Sequence, residues 1–459
     1  MSVPYKPHGY QKKMIKFGVQ QACAGFFADP GLGKTSTMYA IFKTLRDQGL
    51  VDRMLVVAPL RPAYSTWPGE AEKWEDFGDL KVVILHGPDK SKLLCSDFDV
   101  AVINPEGLDW LWMAGAKIDL PQMLVVDEST RFKHTNTKRF KTLKKMLGRF
   151  KRRYILTGTP APNGLLDLFG QIYLLDLGNA LGQYITHYRL NYFDQTGYGG
   201  YTWVPRRGAE QAIYDRLKPL VIRMAAEDFL ELPELINNTV EVTLPAPVMK
   251  IYRDMESLLI ADVEQETVTA ANAAAATGKC RQIANGGAYI VKGDKRDTTH
   301  IHEAKLDAVE EIIEELQGKP ALVAYEYDHD RVRLQQRFGE DVPYIGGGVP
   351  ASRFKEIERD WNMGKIPILL AQPQSVAHGL NLQGTGAAVI WHSLTWNLED
   401  YEQFVRRVWR QGQKERVVVH HIVAKDTIDE VIVKMLHKKD KTQRALLDAL
   451  KDYGKGRRK

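Results

Sequence analysis

The stretch Ala28-Asp29-Pro30-Gly31-Leu32-Gly33-Lys34-Thr35 constrains this chain more than any other. It follows an apolar run, Ala24 to Ala28, suited to a buried strand. It precedes Thr35 to Gly49, which has a helix's composition and a glycine stop. A strand, a glycine-rich loop and a helix with Gly-Lys-Thr at the junction make a phosphate-binding loop. The glycines let backbone N–H groups approach phosphate oxygens, and the helix N-terminus adds a favourable dipole. In that reading Pro30, Gly31, Leu32, Gly33, Lys34, Thr35 and Ser36 cradle the phosphates of a nucleotide. Lys34 reaches the β- and γ-phosphates, and Thr35 ligates Mg²⁺ through its hydroxyl. Ala28 stands where the general pattern has its first glycine. An ordinary glycine turn before a helix has the same local look, so the rest of the chain must decide.

The bulk properties narrow the class. The chain's 459 residues allow two or three domains, and 44% hydrophobic residues can fill large cores. No run approaches the ~20 apolar residues of a bilayer span, and Met1 to Tyr10 lack the apolar core of a secretory signal. No membrane partner is expected. Cys23, Cys95 and Cys280 are far apart and odd in number, as in a reduced cytoplasmic protein, and their spacing fits no zinc site. A net charge of +6 mildly favours a polyanionic partner.

Short apolar runs at Arg53–Ala58, Lys81–Leu85, Asp99–Ile103, Gln122–Val126 and Arg153–Leu156 alternate with helical or loop segments. Continuous apolar strands with helical crossovers predict a parallel sheet covered on both faces. From Leu165 to Leu235 the pattern becomes aromatic-rich, with Gly197, Gly199 and Gly200. It predicts a mostly helical protrusion with a hairpin or loop at its tip. A second helical insertion contains Ala270–Ala276. From Lys305 the alternation resumes, with strands expected at Ala321–Ala324, Ile366–Leu370, Ala387–Trp391 and Arg416–Val423 but no second phosphate loop. The fold expected is α/β, two RecA-like parallel-sheet domains in tandem. The first, at 1–235, carries the protrusion at about 165–225. The second, at 236–459, carries the insertion at about 246–300 and ends in a basic helix.

Three further stretches carry chemistry. Leu124-Val125-Val126-Asp127-Glu128 is an apolar strand ending in two carboxylates. At the C-terminal edge of a parallel sheet they would stand beside the phosphate loop. Asp127 can hold Mg²⁺, and Glu128 can orient and polarise an attacking water. Thr157-Gly158-Thr159-Pro160 is a turn after a strand whose hydroxyls can relay between the carboxylates and a neighbouring domain. Alone it is only a turn. Arg407 and Arg410 are three apart, so on a helix they share a face. Such a pair is most often surface, but in a chain with one phosphate loop and two sheets it can complete an ATP site across the interdomain cleft. Arginine fingers contribute roughly 10³–10⁵ in rate.

In this order and combination the sequence resembles the Swi/Snf-type branch of superfamily-two helicases, in the compact form carried by bacteriophages and some bacteria. The resemblance runs from about Pro7 to Leu447. Tyr10-Gln11 resembles the family's adenine-reading motif, which implies that Gln11 bonds the base. Val57-Ala58-Pro59-Leu60 with Trp67, Glu70 and Trp74 resembles a motif that touches the DNA backbone. Asn104-Pro105-Glu106 sits at another contact. Arg131-Phe132-Lys133-His134 follows Asp127-Glu128 as the family's basic extension. Leu156 to Pro160 with Asn163 matches the third motif. Leu217-Lys218-Pro219-Leu220, Arg223 and Leu232-Pro233 resemble the bridge into the second domain. Ser375 to Leu382, with Gly379 at the nucleotide, matches the fifth motif, and Trp396-Asn397 and Gln403 to Gln413 match the sixth. Thr130 and Trp409 stand where the family commonly has histidine.

The resemblance implies an ATP-dependent, monomeric motor on double-stranded DNA, acting in the cytoplasm of a bacterial host if phage-encoded. Its contacts would be to the backbone and independent of sequence. Arg61, Thr66, Asn104, Lys133, Ser375 and Trp396 are the candidate phosphate contacts. A separate, unidentified protein partner could supply targeting. A strand-separating DNA or RNA helicase and an ATP-gated DNA clamp or adaptor stay open as alternatives. Between Asn191 and Gly208, Tyr192, Phe193, Tyr198, Tyr201, Trp203, Arg206 and Arg207 suit either nucleic-acid stacking or a hairpin packed on the protrusion.

Overall fold

Six short apolar runs and one that is half polar assemble the first sheet in the computed structural model. Residues 2–115, 119–196, 202–230, 232–264, 270–292, 295–376, 380–384, 388–410 and 412–456 are described. At 61, 115, 202, 258–264, 270–276, 291–292, 295–296, 351–352 and 444–456 this covers the backbone alone. The described residues divide into two units, Met1–Leu230 with Lys439–Lys459, and Glu231–Lys438.

The first unit holds β1 (Cys23–Ala28), β2 (Met54–Val57), β3 (Val82–Ile84), β4 (Val100–Ile103), β5 (Met123–Asp127), β6 (Arg152–Thr157), β7 (Phe193–Thr196), β8 (Thr202–Pro205) and β9 (Val221–Met224). All but β7 and β8 form one parallel sheet in the order β3-β4-β2-β5-β6-β1-β9. β2, β4 and nearly all of β1 and β5 are buried, because helices cover both faces and alternate side chains feed two separate cores. β7 and β8 make an antiparallel hairpin between the helices Ile185–Tyr192 and Ala209–Leu217. The protrusion expected from Leu165 onward begins later than that. The helix Leu168–Asp176 is buried at every residue and packs on β1 and β6, so it is core. The expected hairpin tip, Gly197 to Tyr201, lies outside the described residues.

The second unit holds β10 (Leu235–Val242), β11 (Gly287–Lys292), β12 (Lys295–His300), β13 (Ala321–Ala324), β14 (Tyr344–Ile345), β15 (Ile368–Ala371), β16 (Ala388–Trp391) and β17 (Val417–Ala424). Its main sheet is also fully parallel, ordered β10-β17-β16-β13-β15-β14. The helices Ala246–Glu264 and Ala270–Asn285 are followed by the antiparallel β11–β12 pair. No described helix is long and apolar enough to cross a membrane.

Candidate active site

β1 delivers the chain to the sheet's C-terminal edge, and the glycines then turn it. Gly31 and Gly33 adopt φ of 89° and 68°, the left-handed region that side chains rarely tolerate. A Cβ on Gly33 would also overlap the Gln11 amide and come within 3.0 Å of Ser36 Oγ. The helix Lys34–Asp47 starts at once, with Gly33 as its cap. The Gly33 carbonyl accepts from Thr37 N at 3.0 Å, Thr37 Oγ1 at 2.8 Å and Ser36 Oγ at 3.0 Å. Thr35 is half-buried in the first turn. Lys34 Nζ donates to the Ala28 carbonyl at 2.8 Å.

Gln11 lies against this loop. Its Nε2 donates to Leu32 O at 3.5 Å, and its Oε1 accepts from His8 N at 2.9 Å. Pro30 lies against the Thr157–Pro160 turn, where a Cβ on Gly158 would be 3.1 Å from Pro30 Cδ. Asp29 is held from β9: Arg223 Nη1 donates to Asp29 Oδ1 at 2.6 Å, and Ala226 N donates to Oδ2 at 3.0 Å. Both charges are almost fully buried.

β5 brings the carboxylates to the same edge, two strands from β1. Burial raises the Asp127 pKa, while the charge of Lys34 and the Trp67 N–H pull it down. Trp67 Nε1 donates to Asp127 Oδ2 at 3.1 Å, and Glu128 N donates to Oδ1 at 3.1 Å. Trp67 was expected near a DNA-contacting motif. It is fully buried instead, and its carbonyl accepts from Tyr39 OH at 2.8 Å. The resemblance names the residue, but only packing reveals its hold on Asp127. Glu128 itself sits at φ 49°, ψ 58°. A non-glycine residue in that region is strained and persists only where its surroundings enforce it.

In the second unit Arg407 lies in the helix Leu398–Val408, but Arg410 lies beyond its end. The two therefore do not share a helix face, as the spacing suggested. Both act electrostatically on Glu358 instead. Burial raises the Glu358 carboxyl pKa, and the Asn381 N–H, Arg410 and Arg407 pull it back. Arg407 Nη1 also donates to Leu380 O at 3.1 Å. Trp409, at the family's histidine position, donates Nε1 to Pro233 O at 2.7 Å. Gly379 lies outside the described residues.

The candidate phosphate contacts differ in their surroundings. Asn104 Nδ2 donates to Glu106 Oε2 at 2.8 Å, and Lys133 lies 3.7 Å from Asp167. Thr66 and Ser375 are half-buried, and Trp396 packs on the second unit's core. The Arg61 side chain lies outside the described residues.

A model of the SNF2-related domain matches residues 10–287, which carry the loop, both carboxylates and the Thr157–Pro160 turn. The chain belongs to the SNF2-related family. A helicase conserved C-terminal domain model matches residues 304–412 of this SNF2-related protein. It is 35% identical to protein p41 of Acyrthosiphon pisum secondary endosymbiont phage 1, over 97% of this chain and 99% of that one. It is 24% identical to YwqA of Bacillus subtilis, named as an ATP-dependent helicase/translocase, over 94% of this chain and 47% of that one. It is 23% identical to the DNA repair and recombination protein RAD54B of Gallus gallus, over 92% of this chain and 51% of that one. The chain thus spans nearly all of the phage relative and about half of the other two. The SNF2-related protein is an ATP-dependent enzyme.

Proposed function

We propose that this SNF2-related ATPase is a motor on double-stranded DNA that couples each round of ATP hydrolysis to movement along the duplex. The observation that carries the reading is the meeting of the Gly31–Lys34 loop with Asp127 and Glu128 at one edge of one parallel sheet. In this reading Lys34 and the loop amides bind the phosphates of ATP, and Gln11 reads the base. Glu128 orients and polarises the attacking water, and Arg407 and Arg410 supply positive charge to the transferred phosphoryl group.

The donor set fits Mg²⁺. Asp127 accepts two hydrogen bonds of about four it can take, and the Thr35 hydroxyl adds a second hard oxygen. Magnesium, when bound, would neutralise charge developing on the phosphate oxygens. The +6 charge and the name of the RAD54B relative favour DNA as the track. The phage relative of nearly equal length favours the cytoplasm of a bacterial host.

ATP turnover should be measured with no nucleic acid, single-stranded DNA, duplex DNA and RNA side by side. Duplex DNA should stimulate most, and the stimulation should fall steeply with salt as counterions compete for phosphates. A higher rate on RNA or single strands would redirect the reading to a strand-separating helicase.

A further inference from the structure

Two turns border the candidate site, one after Glu128 and one at Thr157–Pro160, and a single buried side chain joins them. Gln171, in the buried helix Leu168–Asp176, accepts from Ser129 Oγ through Oε1 at 2.8 Å. Its Nε2 donates to Pro160 O at 2.6 Å and to Asp167 O at 2.9 Å. Ser129 and Gln171 are both 0% exposed. Two apolar side chains would fill this space without the cost of burying an amide and a hydroxyl. The neighbouring Gly170 brings the helix backbone directly onto the other end of the Glu128 turn, since a Cβ there would overlap the Phe132 carbonyl and stand 2.8 Å from that of Lys133. The strained Glu128 is thus followed by a residue clamped from below, and that clamp also grips the second turn.

The geometry points to Gln171 as a positioning residue for hydrolysis: through Ser129 and Pro160 it makes the Glu128 turn and the Thr157–Pro160 turn one rigid piece. This rests on Glu128 being the group that polarises water. Ser129→Ala deletes one arm and leaves the Gln171 oxygen without its donor. Adding Gln171→Met removes that orphan, because two apolar groups replace a polar pair.

Full-length Ser129→Ala, Gln171→Met and the double variant should be compared for melting temperature, and for kcat and KM for ATP in saturating duplex DNA. Turnover should fall about 10- to 100-fold in all three, as for misplaced catalytic groups, with KM within about twofold of the parent. The double variant should recover stability relative to Ser129→Ala without recovering kcat. If kcat returns with the melting temperature, Gln171 only packs and the inference fails. Ser129→Ala adds no atoms, so it carries the test alone if Gln171→Met does not fold. Normal kcat in folded Ser129→Ala would then overturn the inference. Glu128→Gln, run in parallel, separates the two levels. If that variant turns over normally, the reading of the site has failed. If it is inactive while the double variant is normal, only the role of Gln171 has failed.

Discussion

Glu128→Gln is close to isosteric and removes only the charge that polarises water. It should lower turnover by about 10²–10⁴-fold while ATP binding persists, as read by steady-state hydrolysis beside nucleotide-analogue binding. Retention of more than about a tenth of turnover would remove Glu128 from this role. Lys34→Ala should instead lose nucleotide affinity, since its Nζ is the charge lying over the loop and acting on Asp127. Arg407→Ala and Arg410→Ala should each slow hydrolysis strongly at nearly constant ATP affinity. Normal turnover in both would exclude them as fingers. At this scale the sequence was most informative where chemistry is local: the loop and the two carboxylates are contiguous motifs. The partners that hold them are not. Trp67 lies 60 residues from Asp127, and Arg223 lies 194 from Asp29. No periodicity links such pairs.

The strand β9 exists at the sheet edge partly because Arg223 reaches inward to Asp29, also donating to Phe27 O at 3.1 Å and Met224 O at 2.8 Å. Arg223→Ala would strand a buried carboxylate inside the phosphate loop. It should destabilise the first unit by about 3–5 kcal/mol, measured as a lower denaturant midpoint, and an unchanged midpoint would contradict this account. The same arginine hid β9 from sequence reading, because Val-Ile-Arg-Met is only four residues long and carries a charge. β10 was hidden similarly by Asn237, Asn238 and Thr239 on an edge strand. Strands buried on both faces were legible, since burial demands continuous apolar runs. In the β7–β8 hairpin, Arg206 pairs with Asp194 at 2.8 Å, and Arg189 lies 5.4 Å from the Trp203 ring centroid. Those contacts favour packing for the aromatics. The pair's exposure leaves Arg206 and Arg207 free to exchange protein for phosphate contacts at little cost. Alanine at both should raise the duplex concentration giving half-maximal ATPase stimulation, and an unchanged value would leave only packing.

Each unit has its own sheet and core, so each has its own sensitivities. In the second unit, burial lowers the pKa of His302 from 6.5 to about 4 and that of His392 to about 3. The unfolded chain therefore takes up protons first as pH falls. The stability that keeping these rings neutral preserves is complete above pH 6.5 and is lost as pH falls from there to about 4 for His302 and to about 3 for His392, at ~1.4 kcal/mol per group and pH unit. Melts at about pH 7.5 and about pH 5 should show a clear loss of stability at the lower pH. An identical melting temperature would mean that the histidines are charged in the fold. The tandem parallel architecture was readable from alternation and motif order. The order of the strands was not, because adjacency in a sheet is chosen by long-range packing.

The proposed ATP-driven movement of this protein along intact duplex DNA is read out by displacement of a triplex-forming strand. A motor gripping phosphates need not break stacking of ~1.4 kcal/mol per base-pair step, yet a third strand in the groove blocks its path. The parent protein should release a triplex-forming strand in an ATP-dependent reaction that Glu128→Gln cannot perform, and should leave a matched blunt duplex paired. Strand separation without triplex displacement, or DNA-stimulated hydrolysis with neither, would contradict it.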